Sequence, residues 1–497
     1  MASTPLEEGS LHRETNWWGA FVVGLAGTIL VVTLVPYTTS AIGGFSIPMY
    51  AVLTGVGVFL CFCLAELAAA MPERAGGLPS YSFETFRPFG DGVAKHIGGL
   101  SSWGYWLGWF TVAPINAIIA AGFMIDLFGI PNGSTIDPFG TTFGLPITIG
   151  NLITAAVILL VMFVPCYLGI RLGATFASVL GIASVVPLVL LILLPFLKPS
   201  KIDFGHLDGF GFAAGVSGTW QLVLGWAFIF TWSVLAMEAA ACYIGECRDP
   251  KRDAKIAMTV EGLFGLFIYL AIPIMTLAVL GAAKAGKAGV VAQGFFSSYV
   301  FEIFGKSDFW RWVVGLMLIV ALLLSVLNAV MGCSRGLWQN AHDGIIPRLF
   351  GHVNRHGAPD YAMVFSLICS LVLLLVGTPL EIYVFSNMGY LFACAVALVG
   401  FGVYKSRRAD VPRPVNMPAW MGPVAIALGA ALLVLWLVGG YVAADYAVGA
   451  GKRWLFFLGL FLLALYFPLT WWRSVEDRRR GSTDYSPRRE QPVRAAE

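Results

Sequence analysis

The sequence predicts an all-α integral membrane protein with twelve transmembrane helices, on three observations. Of 497 residues, 58% are apolar and only 12% charged, with a mean hydropathy of +0.79, which no water-facing surface of that size could carry. Apolar runs of about 20 residues, long enough to cross about 30 Å of hydrocarbon, recur along the whole chain. The basic residues sort between alternate connecting segments, as the positive-inside bias requires.

The runs fall near 17–40, 47–71, 97–125, 146–168, 174–197, 216–244, 257–283, 310–334, 361–377, 381–404, 420–444 and 453–472, which leaves no room for a soluble domain. Residues 1–16 hold no apolar core and no cleavage pattern, so they read as a retained cytoplasmic tail rather than a signal peptide, and Ala2 excludes myristoylation. With the amino terminus inside, 23 Lys and Arg fall in inner segments and 8 in outer ones. The expectation is a multi-pass protein of the cell (inner) membrane with both termini cytoplasmic and an even number of spans. Residues 473–497 form a basic cytoplasmic tail, read as disordered after the last span, with Arg478 to Arg480 as a topology anchor near anionic headgroups.

The net charge of +3 gives no reason to expect nucleic acid. The six His lie in tails or between apolar runs, so no metal, no cofactor and no histidine proton relay is expected. The eight Cys lie within spans or at their inner ends, so no disulfide-linked subunit is expected. An intramembrane enzyme would need a nucleophile–base pair or metal ligands at depth, and the sequence offers neither. Oligomeric state is left open.

Carboxylates inside spans are costly and therefore informative. Asp126, Glu381 and Asp445 fall at outer span ends within reach of water, and Glu66 and Glu261 fall where cytoplasmic water could meet them. Glu238 differs, lying in the second half of span 6 with no basic residue in that span. It either bonds inside the bundle or titrates during a transport cycle.

Transporters expose unpaired backbone where two helices are interrupted at matching positions. Spans 1 and 6 are the candidates. Span 1 carries Gly24, Gly27, Thr28, Thr33 and Pro36; span 6 carries Gly215, Gly218, Gly225, Thr231, Ser233 and Gly245. Such glycines equally serve close helix packing, as Gly104 and Gly108 would in span 3. Trp103, Trp106 and Trp109 could pack, sit at the interface or wall a cavity. In span 8, Ser325 and Asn328 share a face and could help bind a cation or bond to a neighbouring helix.

The connecting segments carry motifs in a fixed order. Ala65-Glu66-Leu67 precedes Pro72, Gly76-Gly77, Tyr81 and Gly90; Gly169-Ile170-Arg171-Leu172-Gly173 opens span 5; Glu238 and Glu246 precede Asp249-Pro250-Lys251-Arg252. Asn328, Ser334-Arg335, Asp343-Gly344, Pro347 and Pro359 follow, then Arg413-Pro414. In this order, from about residue 20 to 420, the chain resembles the amino acid–polyamine–organocation (APC) superfamily of permeases.

The resemblance implies a five-plus-five inverted-repeat core at 17–404, with repeats at about 17–197 and 216–404. Helices 11 and 12 and the loop before them follow at 405–472. It implies discontinuous helices 1 and 6 with substrate bound between them. The function it implies is alternating-access transport of an amino acid or related organic amine, by proton-coupled symport or exchange. Substrate contacts are expected at Gly24, Gly27, Thr28, Thr231, Trp232, Ser233 and Ala236, with Trp232 gating and Glu238 a proton or conformational sensor.

Two departures bear on the substrate. Holding Pro36 and Gly43-Gly44 in register puts the family's Gly-rich carboxylate-binding element on Ile29-Leu30-Val31, and Ala236 stands where the family places Gly. An amino alcohol or polyamine without a carboxylate is therefore an alternative, as is a nutrient sensor that keeps the pocket and has lost flux. Basic residues 248–255 mark the inner side, where some could pair with Glu246 or Asp249.

Overall fold

A computed structural model describes residues 13, 15–74, 76–136, 147–288, 291–375 and 379–480, except the side chains at 170–178, 180 and 208. The described chain is almost entirely helical, because backbone in lipid must satisfy its own hydrogen bonds. The helices are α1 (Trp17–Ile29), α2 (Val31–Ile42), α3 (Ser46–Ala70), α4 (Leu78–Thr85), α5 (Asp91–Trp109) and α6 (Val112–Phe128). Then come α7 (Ile149–Tyr167), α8 (Ile170–Leu193), α9 (Trp220–Val234), α10 (Pro250–Ala288), α11 (Ala292–Phe304) and α12 (Asp308–His342). The last are α13 (Asp360–Leu373), α14 (Pro379–Arg407), α15 (Met421–Val434), α16 (Gly440–Ala443), α17 (Trp454–Ala464) and α18 (Tyr466–Arg479). Thr135–Ile136 and Ile147–Thr148 pair as a two-residue antiparallel ladder.

Local chemistry fixes the ends. Asn16 Oδ1 accepts the free N–H groups of Trp18 and Gly19 at 3.1 Å each and so starts α1. Thr148 and Thr219 cap α7 and α9 in the same way. Pro250, which has no N–H to leave unpaired, begins α10. Gly129, at φ +63°, closes α6.

Within the described residues each of the twelve predicted runs overlaps helix. Among the described residues nine helical runs are long and apolar enough to cross a membrane, or ten if the pair Gly181–Leu197 and Pro199–Leu207, bent by 97°, is one span. The difference has two sources. Runs 17–40 and 47–71 fall within one stretch, Trp17–Ala70, and run 361–377 falls on a 14-residue helix, Asp360–Leu373. The outward side chains of α7, such as Ile153, Val157 and Val161, are apolar and exposed, as a lipid-facing helix requires.

Two boundaries differ from expectation. Gly215 and Gly218 precede α9, which starts only at Trp220. The expected tail from 473 begins as helix: α18 continues to Arg479, and buried Arg473 donates to Ala341 O (2.9 Å) and Ile346 O (3.1 Å). A chain entering water keeps its helix there because this guanidinium satisfies two carbonyls that end a neighbouring segment. Residues 481–497 lie outside the described residues.

Candidate substrate site

Both candidate helices are interrupted. The α1–α2 rod breaks at Leu30, three residues beyond Gly27, and α9 ends at Leu235, after which Ala236–Glu246 continues as a 3₁₀ segment. An 11-residue 3₁₀ run is unusually long for that hydrogen-bond geometry. The two rods meet backbone to backbone: a Cβ built on Gly27 would fall 2.0 Å from Ala236 O, and one on Gly24 would fall 2.9 Å from Ala240 Cβ. The glycines of span 1 therefore let the broken halves touch, and Thr231, Trp232, Ser233 and Ala236 are all buried at this crossing.

Tyr269 of α10 joins the two breaks. Its hydroxyl lies 2.7 Å from Gly27 O, 2.9 Å from Ser233 O and 2.8 Å from Ser233 Oγ. Gly27 O also takes the backbone N–H of Leu30 at 3.2 Å, so the phenol adds a side-chain contact to a carbonyl at the interruption. On the same helix Glu261, fully buried, accepts a 2.8 Å bond from Thr28 Oγ1. Asn387 of α14 donates to Phe228 O (2.6 Å) and Thr231 Oγ1 (3.1 Å), tying α9 to α14 just before the break.

Glu238 sits in a ring of neutral donors. Trp109 Nε1 and Tyr390 OH reach its Oε1 at 3.2 Å each, and Tyr105 OH reaches Oε2 at 3.3 Å. Bonding inside the bundle, one of the two roles left open for Glu238, is thus observed. Trp232 stacks on Tyr383, with centroids 4.4 Å apart, and Tyr37 lies beyond at 6.3 Å from Tyr383. Trp103 and Trp106 use their indole N–H groups for packing, on Leu462 O and Ser366 Oγ. Gly104 and Gly108 lie against Gly389 and Tyr390, the close approach expected of them.

Ser325 and Asn328 both face α1. Ser325 Oγ donates to Ala26 O (3.2 Å) and accepts from Asn116 (2.7 Å), while Asn328 Nδ2 donates to Val22 O (3.1 Å) and Val23 O (2.9 Å). The helix-1 carbonyls that a cation would share already have side-chain donors, so these residues serve interhelical bonding in this structure.

At the end of the bundle bearing Thr15 and Arg473, buried carboxylates meet cations. Glu246 is held by Arg335 through Nε and through Nη2 (3.2 Å), and Arg335 also lies over the Tyr243 ring. Of the two partners left open for residues 248–255, Glu246 is taken by Arg335 instead, and Asp249 Oδ1 accepts from the main-chain N–H of Arg252 (3.3 Å); the main-chain N–H of Arg248 donates to Thr15 O (3.0 Å), and Thr15 N to Glu246 O (3.2 Å). Arg74 bridges Glu84 (3.0 Å) and Asp343 (2.5 Å). Glu66 is buried, not open to water, and accepts from Lys405 (2.8 Å) and Met417 N (2.7 Å). Glu261 is likewise sealed, because Gly24 and Ala240 close over it. Glu381, expected in water, is buried against Lys452 at 2.9 Å.

A family model for amino acid permeases matches residues 16–466, nearly the whole chain and every element of this crossing. The chain belongs to the amino acid permease family. It is therefore a member of the APC superfamily. Among relatives of this permease, a putative arginine/ornithine antiporter of Escherichia coli (strain K12) is 26% identical over 320 residues, 64% of each chain. An L-lysine transport protein of Corynebacterium glutamicum is 24% identical, covering 65% of this chain and 60% of its own. Polyamine transporter PUT1 of Oryza sativa subsp. japonica is 26% identical, over 71% and 60% respectively. The permease thus spans just under two thirds of the length of the E. coli relative.

Sequence reading found Glu238 and the two breaks but missed Tyr269, Asn387 and the Tyr105–Tyr390 pair in this permease. Periodicity held one usable signal. Glu261, Gly265 and Tyr269 recur every four residues, which puts a carboxyl, a gap and a phenol on one face of α10.

Proposed function

We propose that this permease is a secondary active transporter for a basic amino acid or related organic amine, working by alternating access between helices 1 and 6. The observation that carries the reading is the Tyr269 hydroxyl set on both Gly27 O and Ser233 O, at the point where the two rods are broken. A solute with an ammonium group can take over those carbonyls when the rods separate. The crossing is filled and the Arg335–Glu246 pair closes the terminal end, which supports an occluded state. Gly24, Gly27, Thr28, Thr231, Ser233 and Ala236 would line the opened site, Trp232 would gate it against Tyr383, and Glu238 would report its opening through the Tyr105–Trp109–Tyr390 ring. The arginine, ornithine, lysine and polyamine named for the relatives support a cationic substrate, with or without a carboxylate.

The architecture of this proposal is twelve spans: two inverted repeats at 17–197 and 216–404, with helices 11 and 12 at 405–472. It lies in the cell membrane with both termini cytoplasmic, which the 23 to 8 division of basic residues supports. Coupling is to protons or by exchange, since side-chain donors already occupy the helix-1 carbonyls near Asn328. The test is flux into proteoliposomes of labelled arginine, ornithine, lysine, putrescine and spermidine. Saturable uptake of at least one is expected, and no saturable flux of any would end the reading.

A further inference from the structure

We propose that Glu261, rather than Glu238, binds and releases the coupling proton. The inference rests on the transport reading above and goes beyond it by assigning a proton site that the sequence motifs do not mark.

The two buried acids differ in what surrounds them. Both oxygens of Glu238 accept hydrogen bonds, three in all. Glu261 has one bond, from Thr28 Oγ1 to Oε1, and its buried Oε2 meets no partner. A carboxylate ion so placed is far more costly than one that is paired. A proton on this group removes the charge and leaves the other oxygen free to keep the Thr28 bond.

Among the described residues the surroundings supply no other neutralising charge. Around the carboxyl stand Gly24 and Thr28 of α1, Ala240 of the 3₁₀ segment, and Cys61 of α3. The titratable groups that feel its charge are the Cys61 thiol and, two turns along its own helix, the Tyr269 phenol. Glu238 acts on the same Cys61 from the 3₁₀ segment. Among the described residues no Lys, Arg or His faces Glu261.

Position links the proton to the moving parts. Thr28 is two residues before the Leu30 interruption, and the carboxyl carbon lies 3.2 Å from where a Gly24 Cβ would stand, in the seam between α1 and Ala240. Rotation of α1 about Leu30 breaks the Thr28 bond and opens that seam to water, where the proton leaves and the carboxylate is solvated. Closure requires the proton again. Glu261 is thus a coupling residue acting through the hinge, not a substrate contact.

The experiment uses the full chain in proteoliposomes with the labelled panel compound that the wild-type protein carries. Uptake governed by one proton changes by up to about tenfold per pH unit, and Glu261→Gln should flatten that response to within about twofold, whatever the absolute flux. In parallel, infrared difference spectra of wild-type and Glu261→Gln protein at neutral pH should show one protonated-carboxyl band present only in the wild type. Thr28→Val, which keeps the carboxyl, should shift this band and the pH profile together, and it serves should the glutamine variant not fold. A pH response that survives in Glu261→Gln, the absence of the band from the wild type, or an unmoved band and profile in Thr28→Val would each overturn the proposal. Failure of wild-type protein to carry any panel compound would instead overturn the transport reading, and the coupling role with it, whatever the infrared band shows.

Discussion

The terminal end of the bundle and its central crossing bury carboxylates in different ways. At the end, Glu66 and Glu246 each meet a guanidinium or ammonium, and Asp343 meets Arg74. At the crossing, Glu238 and Glu261 are bonded only by phenols, an indole and a threonine hydroxyl. Lys and Arg side chains can extend to water from the end of a helix but not from its middle, which places cations at one level and neutral donors at the other. The difference teaches a division of labour. The end is an electrostatic latch that incoming water can weaken, and the crossing is a joint of close backbone contact and hydroxyl bonds that opens only when rods separate.

The largest expected effect tests the latch. Arg335→Ala leaves Glu246 buried beside an empty space and should cost about 3–5 kcal/mol, read as a large fall in melting temperature in detergent. The double variant Arg335→Met with Glu246→Leu, which removes both charges, should recover most of that loss. If the single variant melts with the wild type, the ion pair is not what holds this end closed.

At the crossing the corresponding test is steric. In Gly27→Ala the new methyl meets Ala236 O at 2.0 Å, backbone that cannot turn aside, so the rods must move apart. The expected cost is about 1–3 kcal/mol, together with loss of flux. Gly55→Ala on the lipid side of α3, where nothing lies within 4 Å, should change stability by no more than about 0.5 kcal/mol. Equal effects of the two would erase the distinction between a joint and ordinary helix surface. Tyr269→Phe is milder: it removes the single O–H that lies between Gly27 O and Ser233 O and should cost about 1–2 kcal/mol, measured by the same melting assay.

These residues show which parts of the molecule a sequence can disclose. Span positions were legible because lipid imposes a length on every helix, and the break in span 6 was legible from its glycines and hydroxyl residues together with the family resemblance. The break in span 1 lies at Leu30, on the Ile29-Leu30-Val31 stretch that the Pro36 register marks, while Gly27 serves the approach of Ala236. Tyr269 was not legible: its partner Gly27 is 242 positions away, and an aromatic in an apolar run carries no mark of the carbonyl it will meet. Glu261 was visible but read as a helix end, since α10 extends eleven residues before it and sequence alone does not say how many of these stand clear of the bundle. Arg335 was noted as part of a motif, with nothing to say that it rather than Arg248 would hold Glu246.

The smallest effect belongs to the outermost part of the latch, where α18 is tied down by Asp477. Burial alone would raise the pKa of that carboxyl, but the bonds from Arg348 and Arg473 outweigh it and hold the pKa below the ordinary carboxylate value. A depressed folded-state pKa contributes stability that is complete above the unfolded value and fades as pH falls through the folded one. Docking of α18 should therefore be unchanged from neutral pH down to the ordinary carboxylate range and loosen only in stronger acid. Limited proteolysis near Arg478 to Arg480 measures this directly: cleavage should rise only below that range in the wild type, and at neutral pH in Asp477→Asn. Flux should change little in that variant, because Arg473 keeps its bonds to Ala341 O and Ile346 O without the carboxylate. A neutral-pH variant cut no faster than the wild type would mean that those two carbonyls, rather than the ion pair, dock the helix, and the latch would then end at Arg335.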